Sequence, residues 1–140
     1  MKKLLLSLIL IPLQLFCANI AVVTMAIGDQ YYEIVYPGIE SKVQYCEKHG
    51  YDFICATESL DTSRPIPWTK ILLIQSIMEN GEYDWIFWTD ADSIVMNSEI
   101  KLENLIDDEF KIIMSRDFND LNSGQFLIKC CKWSQSFLKK

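Results

Sequence analysis

The chain has 140 residues, 50% of them hydrophobic and 12% aromatic, with a formal net charge of −6. That length makes one domain with room for a real core, and that composition excludes a disordered tail. No basic run occurs beyond Lys2-Lys3 and scattered C-terminal lysines; this excludes nucleic-acid binding, which needs clustered Lys and Arg, and disfavours adsorption to anionic lipid.

In chain order, the N-terminus reads first as an export signal. Lys2 and Lys3 precede a run over residues 4–16 that is apolar apart from Ser7 and Gln14, and the small residues Cys17 and Ala18 follow as a cleavage point. Residues 1–18 are therefore assigned to a signal peptide and 19–140 to the folded domain. No charge occurs over residues 4–28, so an uncleaved membrane anchor over 4–27 is the alternative. A lipidated Cys17 fits poorly behind the bulky Phe16. The signal peptide is preferred because residues 20–27 (IAVVTMAI) serve better as the first buried strand of the domain.

Gly28-Asp29 ends that strand, and residues 31–49 follow as a helix with Ile39, Val43 and Cys46 at helical spacing and Gly50 as its stop. Pro37 is expected to break this segment or to sit in the first turn of its second half. Residues 51–56 (YDFICA) form a second strand, 58–67 a loop rich in Pro, Ser and Asp, and 68–80 a helix closed by Asn80-Gly81. Residues 84–89 (DWIFWT) read as a central strand, apolar on both faces as a covered sheet requires. A short helix over 101–107, strands over 111–115 and 125–129, and a helix starting at Trp133 complete the chain. This alternation predicts an α/β domain, a Rossmann-like sheet flanked by helices. Of five cysteines, Cys46, Cys55, Cys130 and Cys131 would survive cleavage. An exported chain is free to pair them, but their spacing matches no zinc pattern. Cys46 and Cys55 read as core residues, and of adjacent Cys130 and Cys131 at most one is expected to be buried.

The chemistry is concentrated after the central strand, in Asp90-Ala91-Asp92-Ser93. A buried strand delivers two carboxylates, two residues apart, beyond its carboxyl end, where open α/β sheets bind ligands. Two such acids repel each other and any phosphate, and a divalent cation resolves both repulsions. Mg²⁺ or Mn²⁺ takes oxygens from one or two carboxylates plus substrate phosphates, and stabilises charge on a departing diphosphate. The plainer reading makes Asp90 and Asp92 turn-capping or solvated acids; their place after WIFWT favours the functional one.

The segment Trp85-Ile86-Phe87-Trp88-Thr89-Asp90-Ala91-Asp92-Ser93 resembles the metal-binding segment of glycosyltransferase family 34. Three further segments match it in order: residues 45–52 (YCEKHGYD), Trp68-Thr69-Lys70 as its Trp-x-Lys, and residues 121–128 (LNSGQFLI) as its Asn-x-Gly segment. The resemblance runs from about Ile20 to the last residue. It implies a GT-A fold, incomplete at the C-terminus, and a retaining glycosyltransferase. Such an enzyme moves a hexose or pentose from a nucleoside-diphosphate sugar, a UDP-sugar or GDP-mannose, to a glycan acceptor, usually with Mn²⁺. By resemblance, Asp92 is the direct metal ligand. Asp90 contacts the ribose or sugar, with a water-mediated link to the metal. Lys70 lies near the donor, Asn122 and Gly124 line the sugar pocket, and Thr24, Ala26 and Gly28 sit near the base. A glycine at 124 suits close backbone approach.

Each assignment has a bland counterpart: Lys70 as a solvated charge, Trp68 as packing, Asn122 and Gly124 as an ordinary turn. Trp85 and Trp88 read as core or pocket wall. The family's downstream metal-binding histidine has no equivalent, because the single histidine, His49, lies upstream and reads as structural near a helix end. No nucleophile is assigned. Two rivals remain. One is a haloacid-dehalogenase-like phosphatase with Asp90 as nucleophile, whose later acidic pair should follow an apolar run with glycine, whereas Asp107-Asp108 sits at a helix end without one. The other is a truncated, non-catalytic nucleotide-sugar-binding remnant.

Overall fold

The computed structural model describes residues 18–118 and 120–139. The predicted signal peptide, apart from Ala18, lies outside them, as does Cys17. Among the described residues, no helix is long and apolar enough to cross a membrane.

Among the described residues, five strands form one sheet. They are β1 (Ile20–Met25), β2 (Asp52–Ala56), β3 (Trp85–Thr89), β4 (Ile112–Asp117) and β5 (Asp120–Lys129), in the spatial order β2-β1-β3-β5-β4. β1 runs parallel to both β2 and β3, whereas β5 runs antiparallel to β3 and β4. Apolar residues on both faces of β1 and β3 require a cover on each side, and two helices supply it. α1 (Asp29–His49) packs Tyr45 and Cys46 over Ile20, Val22, Trp85 and Leu127. α2 (Thr69–Asn80) packs Leu73, Ile74, Ile77 and Met78 over Ala21, Val23, Ile86, Trp88 and Ile128 on the opposite face. α3 (Lys132–Leu138) joins the second layer through Leu138.

The helix stops behave as expected. Gly50 takes a left-handed φ of 76°, and its N–H returns to the Cys46 carbonyl. Four expectations are corrected. Pro37 does not break α1; the helix is continuous through it. The exposed ring gives up one hydrogen bond, while Val35, Gly38 and Ile39 on either side are buried and fix the path. β1 stops at Met25, so Ala26 and Ile27 already belong to the turn into α1. The short helix expected over 101–107 is a 3₁₀ turn at Leu102–Leu105. The last strand starts at Asp120 rather than 125, placing Asn122, Ser123 and Gly124 in a strand instead of a turn. Asp120 and Leu121 pair with Asp117 and Arg116 of β4 in a tight hairpin, and the Gly124 carbonyl accepts from the distant Asp90 N–H, a contact that a local turn signal does not register. Among the described residues all four cysteines are free: Cys46 is buried, and Cys55, Cys130 and Cys131 are half-buried.

Candidate functional site

β3 ends at Thr89 and hands Asp90, Ala91 and Asp92 to a turn beyond the carboxyl end of the sheet. The turn is closed by Ser93, whose backbone N–H and hydroxyl donate to the Asp90 carbonyl at 3.2 and 2.7 Å. Ala91, between the two acids, is buried against Val35 and Ile39 of α1 and against Ala26. An apolar residue thus anchors the turn while the acids on either side of it stay accessible.

The two carboxylates have different surroundings. Asp90 Oδ1 accepts from the Trp88 indole N–H at 2.8 Å and pairs with Lys70 Nζ at 3.1 Å. Lys70 also donates to the Ser123 carbonyl at 2.9 Å and lies 4.8 Å from the Trp88 ring centroid, a cation–π distance. The Asp90 N–H donates to the Gly124 carbonyl at 2.8 Å, adding one rung to the β3–β5 ladder. Asp90 Oδ2 faces Gly124 so closely that a Cβ there would stand 3.0 Å from it and 2.9 Å from Asn122 Oδ1. Asn122 accepts from the Gly124 N–H at 2.7 Å and donates to Asp117 Oδ2 at 3.0 Å. Asp92, by contrast, is exposed and borders a cleft of about 470 Å³ shared with Met25, Ile27, Tyr31, Ile66, Lys70 and Asp90. Burial, and then the charges of Asp92 and Asp90, push the Tyr31 phenol above its ordinary value.

The structure therefore brings together Lys70, Asp90 and Asp92, with Asn122 and Gly124 against Asp90. It does not bring Thr24 or Ala26 to the cleft. Both are buried (0% and 1% exposed), while Met25 between them borders the cleft; alternation along an extended chain sends its neighbours to the other side. Gly28 is exposed at the start of α1, with φ 94°, and is not part of the cleft lining. Two residues escaped sequence reasoning. Tyr31 reaches the cleft only through the helix that carries it. Lys42 is buried (1% exposed) beneath the acidic turn, where burial lowers its ammonium pKa and the charges of Asp92, Cys55 and Asp90 work the other way. A signal for Lys42 existed: it occupies the helical stripe Val35, Ile39, Cys46 that faces the core.

Asp90 and Asp92 are the acids at this turn, and among the described residues no group of three or more His, Cys, Asp or Glu could hold a metal. That donor set suits Mg²⁺ or Mn²⁺, which complete their shell with substrate phosphates and water, and does not suit a structural zinc. His49 takes no part: its Nε2 lies 2.7 Å from the Ser98 carbonyl, and its ring packs between Tyr45 and Tyr51. Asp108 pairs with Lys129, which stands opposite Trp85 at the far end of β3. At ~3.3 Å per residue that is about 17 Å along the sheet from Asp90, so Asp107-Asp108 cannot serve a phosphatase centred on Asp90.

The profile of the galactosyl transferase GMA12/MNN10 family matches residues 17–109. Galactomannan galactosyltransferase 1 of Cyamopsis tetragonoloba is 30% identical over 109 residues, 71% of this chain and 25% of the relative. Probable xyloglucan 6-xylosyltransferase 5 of Arabidopsis thaliana is 26% identical over 122 residues, 80% of this chain and 26% of the relative. The chain thus spans about a quarter of the length of these relatives. Among solved structures, a glycosyltransferase involved in the glycosylation of the major capsid of PBCV-1 superposes with a TM-score of 0.69 at 20% identity, over 86% of this chain and 63% of that one. A197 from STIV superposes with a TM-score of 0.56 at 10% identity, over 87% of this chain and 68% of that one. These superpositions bear out the expected glycosyltransferase-type α/β fold.

Proposed function

The chain belongs to the galactosyl transferase GMA12/MNN10 family, and from that premise we propose that its cleft binds the nucleoside-diphosphate part of a sugar donor together with Mn²⁺ or Mg²⁺. The observation that carries this reading is the asymmetry of the two acids. Asp90 is held by Lys70 and Trp88, whereas Asp92 presents its carboxylate to the cleft. Asp92 is the cation ligand, and Asp90 has only Oδ2 left for the cation's water shell or for a ribose hydroxyl. A divalent cation supplies charge neutralisation for the diphosphate. Lys70 turns its remaining positive potential towards the same phosphates. Asn122 and Gly124 border the sugar, since the bare Cα of Gly124 leaves room beside Asp90. Tyr31 offers an aromatic wall to the base.

The donor is a UDP-sugar or GDP-mannose, and the reaction of the whole protein is retaining transfer of a hexose or pentose to a glycan acceptor. Export through the N-terminal leader, or anchoring by it, places that reaction in the secretory route. Binding is the part of this reading that the chain tests directly. In calorimetry of the folded chain, UDP or GDP is expected to bind at least about tenfold more tightly with Mn²⁺ than with EDTA, a gain of ~1.4 kcal/mol. Asp92→Ala removes the gain. Equal affinity in Mn²⁺ and EDTA overturns the proposal.

A further inference from the structure

A lysine on the buried face of a helix must find partners for three N–H donors and one charge, because burial strips both of water. Lys42 finds them in three carbonyls. Its ammonium donates to Gly38 of its own helix at 3.1 Å, to Ala91 at 3.2 Å, and to Ser93. The last two carbonyls flank Asp92. Holding both to one interior cation turns both peptide planes inward and leaves the Asp92 side chain on the outer side of the turn. Gly38 makes the approach possible: a Cβ there would stand 2.4 Å from the Ala91 oxygen and 2.7 Å from the Ser93 oxygen. The same helix adds Ser41, whose hydroxyl accepts from the Val95 N–H at 3.2 Å.

We propose that Lys42, seated through Gly38, is a positioning residue that fixes the Asp90–Ser93 turn and so aims Asp92 at the cation. The assignment rests on the donor-site reading for its purpose, but not for its geometry. Groups that orient metal ligands without touching the metal typically change affinity by about 10- to 100-fold when removed.

The test uses the full chain and Lys42→Met, which keeps the length of the side chain and removes the charge. Amide hydrogen exchange is expected to quicken at Ser93 and Val95 by about tenfold or more while Val22 and Ile86 in the sheet keep their protection. Mn²⁺ affinity in the presence of UDP, read by the EPR signal of free Mn²⁺, is expected to weaken by about tenfold. Gly38→Ala, which crowds the turn from the other side and retains the lysine, is expected to show the same pair of changes. Tyr51→Phe is the control for mere destabilisation: it removes a hydroxyl that binds Glu103 and the Leu102 N–H. It should lower the melting temperature yet leave turn exchange and Mn²⁺ affinity as they were.

Wild-type exchange at Ser93 and Val95 in Lys42→Met overturns the positioning role. So does an equal loss of Mn²⁺ affinity in Tyr51→Phe, or failure of both Lys42→Met and Gly38→Ala to fold. Exchange changes confined to the turn, in a chain whose wild type shows no Mn²⁺-dependent UDP binding, leave the positioning role standing and remove the donor reading.

Discussion

Lys70 engages three groups at once: the Asp90 carboxylate, the Ser123 carbonyl and the face of Trp88. It is mostly buried (14% exposed) while Asp90 is more open (43%), so its charge is poorly hydrated and well placed to act on a ligand in the cleft. Hydrogen bonds to charged groups contribute about 1.5–3 kcal/mol. Lys70→Met is therefore expected to weaken UDP binding in Mn²⁺ by about tenfold or more and to leave uridine binding unchanged, as compared by calorimetry. Tighter UDP binding in the variant would mean that Lys70 serves only to neutralise Asp90. The motif residues were legible in the sequence because their chemistry is local: a buried strand followed by two acids. Lys42 was legible only as a charge out of place on an apolar stripe, since its partners Ala91 and Ser93 are 49 and 51 residues away. Thr24 and Ala26 have buried side chains that do not line the cleft, for a similar reason. Resemblance located the strand end, but strand alternation decides which side chains reach the cleft.

At the scale of elements, α1 has two duties. Its C-terminal half covers the sheet, and its middle, from Val35 to Lys42, docks under the acidic turn. Pro37 lies within that middle, where it cannot donate the usual hydrogen bond to residue 33. Because the ring is exposed and the helix runs through it, Pro37→Ala is expected to stabilise the chain. A proline in a helix interior costs up to ~3 kcal/mol relative to alanine, offset by up to about 1 kcal/mol through the stiffer unfolded chain. A net gain of roughly 1–2 kcal/mol in urea denaturation, with unchanged m-value, is the expected outcome; a loss would show that the proline sets the path of the helix. The sequence periodicity located both helices and the three parallel strands, because each element carries its own apolar pattern. It shortened β5, because residues 120–124 are strand only through pairing with β4 and the β3–β5 ladder.

At the scale of the molecule, a buried and a half-buried thiol make stability depend on alkaline pH. Burial, with a smaller contribution from the Asp52 charge, pushes the Cys46 thiol from 9.0 to about 12. Burial, with the charges of Asp84 and Cys131, does the same at Cys130, also to about 12. A group whose folded pKa is raised binds its proton more tightly when folded, so its contribution is complete below pH 9 and is lost as pH rises from 9 towards 12. Melting temperature is expected to hold from pH 7 to about 9 and then to fall. In Cys46→Ala it should start lower, through the cavity left behind, and fall less steeply. Identical slopes in the two proteins would show that Cys46 ionises freely in the folded state.

Pattern by itself determined the α/β class, the central strand and the acidic turn beyond it, because each of these is written in residues close together along the chain, and the resemblance of four segments in order pointed to the family. The tertiary structure decided the rest. It divided the two acids into one held by Lys70 and Trp88 and one facing the cleft. It put Tyr31 into the wall and Thr24 into the core, and it set a buried lysine beneath the turn. The physical reason is that a carboxylate's availability depends on which distant donors the fold delivers to it. That delivery is fixed by sheet register and helix docking, which no local stretch of sequence contains.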